Sequence, residues 1–232
     1  MAPPDFSDRE TVIDDPERPG PLFAQLRLGP HENFVYLVAD PETRKAACID
    51  PAFGVDRILS VLDRWDADLA HILHTHGHFD HVEGAPRLAE ETGAAVRIHE
   101  NDADALEDTG ITVTRLEGGE TLKTGGLPIE VHSTPGHTAG GLTYQVGHLL
   151  FTGDFLFCET AGRCDFPTGS KETMWASLQW FKKAFTDDHV ICPGHDYGKT
   201  PRLRLGDAKK SNPALSHKAY EEFEKEWFLK AY

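Results

Sequence analysis

The chain has 232 residues, with 23 Lys and Arg against 38 Asp and Glu, and a formal net charge of -15. This acidity disfavours nucleic acids and anionic membrane surfaces as partners, because a negative chain repels both. The 39% of hydrophobic residues excludes an unfolded chain, and the length fits one domain. Neither a signal-peptide-like start nor a membrane-length apolar run is present, so we expect a cytoplasmic protein.

The first half of the chain changes from an irregular arm to alternating strands and helices. Residues 1–21 hold five prolines and six acids, which predict an irregular N-terminal arm, and residues 22–232 are predicted to form one domain. Short β-branched and aromatic runs predict strands at 26–28, 34–39, 46–50 and 69–73. Apolar residues at helical spacing predict a helix over 55–65. An antiparallel opening is therefore followed by a β-α-β unit.

The second half repeats this alternation. Helices are predicted over 86–92, 102–106 and 172–185, and strands over 95–98, 111–116, 127–131, 142–146, 149–151 and 189–192. The pattern favours a single-domain α/β sandwich. The tail from Asn212 carries Phe223, Trp227 and Phe228 at the spacing of a short amphipathic C-terminal helix. Packing on its own domain is the default for this helix, and a homodimer is the alternative.

The residues that indicate chemistry are concentrated in one loop. Directly after the strand predicted at 69–73, residues 74–81 read His-Thr-His-Gly-His-Phe-Asp-His. In a looped segment His76 and His78 can turn to one side, while Asp80 and His81 point to a neighbouring position. Imidazole and carboxylate groups suit Zn²⁺, Fe and similar ions, so one loop can supply ligands to two adjacent metals. An adventitious metal-binding tract is the alternative interpretation.

Three further segments place a metal-ligand residue beside glycine after a predicted strand. They are Pro135-Gly-His137, Thr152-Gly-Asp154 and Pro193-Gly-His195. Glycine permits the tight backbone that such loops need. An adventitious metal-binding tract would not require ligand residues beside glycine at three further strand ends, so these segments favour a catalytic metal site. The four cysteines form no C-x-x-C pair and are interpreted as free thiols.

The ordered set of seven ligand-type residues resembles the metallo-β-lactamase superfamily, with similarity from about Leu26 to His195. The resemblance implies a four-layer αβ/βα sandwich. It also implies two divalent metal ions, Zn first, with Fe or Mn as alternatives. The implied ligands are His76, His78 and His137 for one metal, Asp80, His81 and His195 for the second, and Asp154 as the bridge.

Within the superfamily the sequence is most similar to the glyoxalase II branch, judged from residues 75–81, 162–169 and 193–197. This similarity implies a dinuclear metal-dependent hydrolase of acyl-thiol substrates, in which a metal-bridging hydroxide is the nucleophile and Asp80 orients it. Arg163, Tyr197 and Lys210 are the candidate substrate contacts. Full-length glyoxalase II has a C-terminal helical region that helps to bind glutathione, whereas only 37 residues follow His195 in this sequence. The resemblance therefore does not specify which thiol carries the acyl group.

Persulfide dioxygenases are similar as well and give the alternative function. They share the Gly-Arg-x-Asp-Phe run at 162–166 and the His-Asp-Tyr at 195–197. Their single iron is held by the equivalents of His76, His137 and Asp154, a set that leaves open positions for oxygen. Phe79 and the Pro-Gly at 193–194 favour the hydrolase. A non-enzymatic scaffold would be expected to lack some ligands, and all seven are present.

Overall fold

The protein is described by a computed structural model that covers residues 11–12 and 20–229, with the backbone alone for residues 11–12 and 226–229. The described part contains two β-sheets with helices on their outer faces. None of the helices in these ranges is both long and apolar enough to cross a membrane.

The first sheet has seven strands that follow one another in chain order. They are β1 (Thr11–Val12), β2 (Leu22–Leu28), β3 (Asn33–Ala39), β4 (Lys45–Ile49), β5 (Asp68–Leu73), β6 (Ala95–His99) and β7 (Val113–Leu116). Pairing is antiparallel from β1 to β4 and parallel from β4 to β7. Parallel strands need crossovers. These contain α1 (Val55–Trp65), α2 (Phe79–Val82), α3 (Ala85–Thr92) and a 3-10 helix (Glu100–Thr109).

The second sheet has six strands in the order β13-β12-β11-β10-β9-β8. They are β8 (Thr121–Thr124), β9 (Leu127–Ser133), β10 (Leu142–Val146), β11 (Leu149–Gly153), β12 (Val190–Pro193) and β13 (Leu203–Arg204). Only the β11–β12 pair is parallel, and α4 (Lys171–Ala184) forms its crossover. The described chain ends with α5 (Leu205–Ser211), α6 (Pro213–Ser216) and α7 (Tyr220–Leu229).

Strand β3 shows how the sequence produces the layers, because every residue of it is buried and alternate side chains face opposite sides. Val35 and Leu37 pack in a cluster that includes Ile58 of α1. Phe34 and Tyr36 pack instead between the two sheets. A third cluster joins the outer face of the second sheet to α4 and the C-terminal helices. The layers are helix, sheet, sheet and helix, so the predicted αβ/βα sandwich in one domain is confirmed.

Most predicted elements are present, with ends shifted by a few residues. Helix α1 and strand β10 have the predicted bounds, and the helix predicted at 102–106 is the 3-10 helix. The short elements β8, β13, α5 and α6 were missed, because two to seven residues carry little periodicity.

The two ends of the chain are only partly described. Residues 11–12 of the predicted irregular arm pair with β2 as a strand, whereas residues 1–10 and 13–19 lie outside the described residues. In the predicted amphipathic tail, Phe223 is buried against the chain's own third cluster. The side chains of Trp227 and Phe228 lie outside the described residues. The part of the tail that is described therefore packs within the domain.

Candidate metal centre

Four loops at the carboxyl ends of strands bring the seven predicted ligands together. Residues 74–81 follow β5, and α2 begins at Phe79, immediately after His78. The loops after β9, β11 and β12 carry the remaining three predicted ligands. Gly153 shows how closely these loops approach: its φ is +51°, and a Cβ there would lie 2.1 Å from Thr75 Oγ1. Only glycine allows β11 to end against the histidine loop.

The first cluster consists of His76, His78 and His137. His78 Nδ1 lies 3.1 Å from His76 Nε2 and 3.0 Å from His137 Nε2. Nitrogens bound at about 2.0–2.1 Å to a tetrahedral metal are about 3.3 Å apart, so this spacing is close to that of a ligand set. His76 and His137 are buried, with 2% and 5% of their surfaces exposed.

The second cluster consists of Asp80, His81 and His195, whose ligand atoms lie within 4.8 Å of one another. His81 Nε2 is 3.1 Å from His195 Nε2, and His195 Nε2 is 3.5 Å from Asp80 Oδ2. This set mixes imidazole and carboxylate ligands, which suits a divalent transition metal.

Asp154 lies between the two clusters. Its Oδ2 is 3.7 Å from His137 Nε2 in the first cluster and 3.3 Å from His195 Nε2 in the second. Its Oδ1 is 3.5 Å from His81 Nε2 and is buried without a hydrogen-bond partner. A buried carboxylate oxygen without a hydrogen bond is costly unless a cation compensates it. The residues therefore fit a metal pair, with Asp154 placed to bridge.

The ring nitrogens that face away from the clusters are hydrogen-bonded. His137 Nδ1 donates to the Arg163 carbonyl over 2.6 Å, and His195 Nδ1 donates to the His31 carbonyl over 2.7 Å. His81 Nδ1 lies 3.1 Å from Asp50 Oδ2. Such bonds leave Nε2 of each ring as the ligand atom and fix the ring orientation.

The two clusters differ in the direction in which the pKa values of their histidines are shifted. Burial, together with the neighbouring histidines, lowers the pKa of His76 well below 6.5 and that of His78 to about 4. Burial also opposes protonation of His81, but the carboxylates of Asp154 and Asp50 outweigh it and raise the pKa of His81 to about 9. Protonation is thus disfavoured at His76 and His78 in the first cluster and favoured at His81, beside Asp154, in the second.

Asp154 itself remains a carboxylate. Burial raises its pKa, but His81 and His195 outweigh burial and hold that pKa well below the usual 3.8. The pKa of His195 is raised in turn, since the attraction of Asp154 exceeds the effect of burial. The site therefore keeps a negative bridging group at neutral pH.

Three residues that hydrogen-bond to the ligand loops were not singled out in the sequence: Asn33, Asp50 and Asp102. Asn33 Nδ2 donates to the Asp80 carbonyl over 2.8 Å and to Asp80 Oδ2 over 3.2 Å. Asp50 accepts from the Thr75 amide at 2.7 Å as well as contacting His81. Asp50 carried a usable signal, because it is an acid at the carboxyl end of a predicted strand. Asn33 and Asp102 carried none that distinguishes them from ordinary turn and helix residues.

His74, the first residue of the histidine loop, is buried. Its Nδ1 bonds to the main-chain carbonyl of His81 at 3.1 Å rather than to a ligand ring. Burial lowers the pKa of His74 to about 4. Cys158 and Cys164 are buried thiols. Burial raises the pKa of each to about 12, which is consistent with inert side chains.

Two of the predicted substrate contacts lie at the rim of the metal centre. The Tyr197 ring stacks on the His195 ring with centroids 4.5 Å apart and is 57% exposed. Arg163 lies over the ring of Phe166 at 4.8 Å, and that ring is 4.5 Å from the His78 ring. The Arg163 guanidinium also pairs with Asp165 through two bonds of 2.6 Å. A substrate anion would compete with that exposed pair.

The third predicted contact, Lys210, lies on α5. Its ammonium pairs with Asp207 at 3.2 Å, and its side chain is 79% exposed. No contact between Lys210 and the two clusters is seen in the described part of the chain. Lys210 thus remains a prediction without structural support at the metal centre.

The family follows from comparison with known proteins. The sequence profile described as Metallo-beta-lactamase superfamily matches residues 28–195, which span all seven candidate ligands. The chain belongs to this superfamily, and the resemblance inferred from the ligand motifs is confirmed. It is an enzyme superfamily whose fold binds metal ions, in agreement with the two clusters.

Two curated relatives and one solved structure illustrate what the chain is similar to. The probable polyketide biosynthesis zinc-dependent hydrolase BaeB of Bacillus velezensis is 34% identical over 180 residues, covering 78% of this chain and 80% of the relative. The hydroxyacylglutathione hydrolase GloC of Haemophilus influenzae is 33% identical over 201 residues, covering 79% and 92%. The crystal structure of ETHE1 from Myxococcus xanthus is similar with a TM-score of 0.83 and 32% identity, covering 91% of this chain and 92% of that one.

Proposed function

We propose that the protein is a dinuclear metal-dependent hydrolase that cleaves thioesters in the manner of glyoxalase II. The observation that carries this proposal is the position of Asp154, whose oxygens face His137 in one cluster and His81 and His195 in the other. A bridging carboxylate is what holds two cations at the short separation that hydrolysis by a metal pair requires. The similarity to BaeB and GloC supports hydrolysis, and zinc is the proposed metal.

Two bound divalent ions would supply a hydroxide near neutral pH and a Lewis acid for the thioester carbonyl oxygen. The protein contributes geometry. Asp80 is held by Asn33 and lies 3.5 Å from His195 Nε2, so its carboxylate is placed both to bind metal and to orient the nucleophile. Four of the five histidines are held in orientation, because the ring nitrogen of each that points away from the clusters bonds to a carbonyl or a side chain.

The proposed substrate contacts at the rim are Arg163 and Tyr197. The Phe166 ring lies beside His78 of the first cluster, and the Tyr197 ring lies beside His195 of the second. An acyl group can lie between these rings while Arg163 attracts a carboxylate or phosphate of the thiol carrier. Phe79 extends the aromatic rim, since its side chain is 62% exposed and its ring lies edge-on to His31 at 5.6 Å.

The alternative function, persulfide dioxygenation, would use a subset of the same atoms. His76 and His137 have ring centroids 5.0 Å apart, and His137 Nε2 lies 3.7 Å from Asp154 Oδ2. Two histidines and a carboxylate with open positions are the ligand set of non-haem iron oxygenases. The number of bound metals therefore discriminates between the two functions.

The test combines metal content with two substrates. Protein purified without added metal is analysed by plasma mass spectrometry, then stripped with chelator and reloaded separately with Zn²⁺, Mn²⁺ or Fe²⁺. Each form is assayed with S-lactoylglutathione and with glutathione persulfide. Close to two metals per chain and hydrolysis of the thioester support the proposal. One iron per chain, with oxygen consumed on the persulfide, would overturn it in favour of the dioxygenase.

The cellular setting is proposed from the thiols. All four cysteines are free and buried, which suits a reducing compartment such as the cytoplasm. We propose a monomer as the default state and a homodimer as its alternative, to be resolved by light scattering of the purified enzyme.

A further inference from the structure

Asp102 is a buried carboxylate that belongs to neither ligand cluster. It lies in the 3-10 helix between β6 and β7, and 8% of its surface is exposed. Burial of a carboxylate is costly unless hydrogen bonds compensate it. Its partners therefore indicate why the acid is there.

The three donors to Asp102 come from two different ligand loops. Asp102 Oδ2 accepts from the Gly77 amide at 2.9 Å and from the Thr138 hydroxyl at 2.7 Å. Its Oδ1 accepts from the Gly140 amide at 3.0 Å. Gly77 lies between His76 and His78, and Thr138 directly follows His137. One carboxylate thus joins the loops that carry all three ligands of the first cluster.

The two ligand loops approach Asp102 closely at two glycines. A Cβ at Gly140 would lie 2.5 Å from the Asp102 carboxyl carbon. A Cβ at Gly77 would lie 2.8 Å from the Asp102 carbonyl oxygen. Both loops therefore approach the 3-10 helix through glycine, at the distance that their amide hydrogen bonds require.

The second cluster has a different support. Asp50 contacts His81 Nδ1 at 3.1 Å and accepts from the Thr75 amide and hydroxyl at 2.7 and 2.6 Å. Among the described residues, the side-chain bonds to Asp102 come instead from Gly77, Thr138 and Gly140, and none of them involves a ligand side chain. Asp50 thus contacts a ligand of the second cluster directly, whereas Asp102 binds the segments that flank the ligands of the first.

We infer that Asp102 is the positioning residue of the first cluster, and that it sets the metal affinity of His76, His78 and His137 without touching the metal. Supporting residues of this kind typically change metal affinity about 10- to 100-fold. The inference rests on metal binding at the two clusters and is independent of whether the reaction is thioester hydrolysis or dioxygenation.

The experiment measures Zn²⁺ affinity by competition with a chromophoric chelator in two backgrounds. H195A impairs the second cluster and isolates the first, whereas H137A impairs the first and isolates the second. Adding D102N or D102A to the H195A background is expected to weaken Zn²⁺ binding about 10- to 100-fold, with D102A the larger effect. The same substitutions in the H137A background are expected to change affinity less than about twofold, because Gly77 and Thr138 directly adjoin first-cluster ligands, whereas none of the three partners of Asp102 directly adjoins Asp80, His81 or His195.

The matched control is D104A, which removes a carboxylate from an exposed position of the same helix and is expected to leave affinity unchanged. Thr138 supplies a second route that does not depend on D102A folding. T138V removes one donor and should weaken the first cluster, whereas T138S keeps the hydroxyl and should rescue it. Melting temperatures of the metal-free variants show whether each is folded.

Equal weakening of both clusters by D102N would overturn the inference, because it would make Asp102 a general structural residue. Unchanged affinity of the first cluster in folded D102N and T138V would overturn it as well. Loss of thioester hydrolysis alone leaves it standing, since the readout is metal affinity. Failure of the proposed function and failure of this inference are therefore separately visible.

Discussion

Two parts of the molecule carry clusters of polar residues: the metal centre, and the basic segment formed by the Lys and Arg residues between positions 199 and 210. In the metal centre, buried ligand atoms from four loops converge within hydrogen-bond distance. In the basic segment, four of the five cations pair outward with acids at 2.7–4.0 Å: Lys199 with Glu159, Arg204 with Asp188, Lys209 with Asp187 and Lys210 with Asp207. Both segments are conspicuous in the sequence, but only the first follows the carboxyl ends of buried strands.

A high density of charged residues therefore does not by itself identify a site. Exposed ion pairs contribute about 0–1 kcal/mol and hold no fixed geometry. Ligands at the ends of buried strands are fixed by the sheet, and their far nitrogens are tied by hydrogen bonds. Variants in the two segments should therefore differ greatly in effect.

The largest expected effect is from D154A. Removing the bridge leaves both clusters without the carboxylate that faces them, so we expect loss of both metals and hydrolysis at the background rate. D188A is the matched control, because that acid lies on the surface with a 73% exposed side chain. Metal analysis and turnover of S-lactoylglutathione provide the measurement. A D154A protein with full turnover would refute the bridging assignment.

Next is Asp50, the support of the second cluster. D50A removes the partner of His81 Nδ1 and the acceptor of two hydrogen bonds from Thr75. We expect about 10- to 100-fold weaker metal binding at the second cluster and a lower melting temperature. Zn²⁺ titration in the H137A background measures the first effect. Weakening confined to the first cluster would contradict the division between Asp50 and Asp102.

The metal-free protein should show a pH dependence that the metal-loaded protein lacks. The pKa of His81 is raised from 6.5 to about 9, so its stabilisation is present below pH 6.5 and is lost as pH rises toward 9. By linkage this corresponds to about 3 kcal/mol of unfolding free energy. Urea denaturation at pH 6.5 and pH 9, with and without Zn²⁺, measures it. Equal stability of the metal-free protein at both pH values would contradict the assignment.

A smaller effect is expected at the rim. R163A removes a guanidinium 4.8 Å from the Phe166 ring, and we expect KM for an anionic acyl-thiol to rise about tenfold with little change in kcat. R163K is the matched variant, which keeps the charge but loses the planar fork. A change in kcat without a change in KM would exclude Arg163 as a ground-state substrate contact.

The smallest effect is expected in the basic segment. K210A breaks an exposed pair within α5, so KM should change less than about twofold. Steady-state kinetics alongside R163A provide the comparison. A tenfold rise in KM for K210A would restore the substrate contact predicted from the sequence and would show that the basic segment takes part in binding.

The elements and motifs that could be predicted from the sequence are those encoded by neighbouring residues. The β-branched and aromatic run of β3 and the helical spacing of α1 each predict an element from fewer than a dozen residues. The ligand motifs are local as well, because each places a histidine or aspartate directly after a strand. Elements as short as β13 or α6 were missed, since their formation depends on packing against distant chain rather than on periodicity.

The sequence by itself determined the sandwich, the family and the seven candidate ligands. Only the tertiary structure decided how the ligands are supported. Asp50 and Asp102 are 31 and 36 residues from their partners His81 and Thr138, so no spacing rule connects them. It also decided that Lys210 pairs with Asp207 on the surface. The physical reason is that burial and hydrogen bonding between distant loops arise only when the strands are packed, whereas ligand type and strand ends are encoded residue by residue.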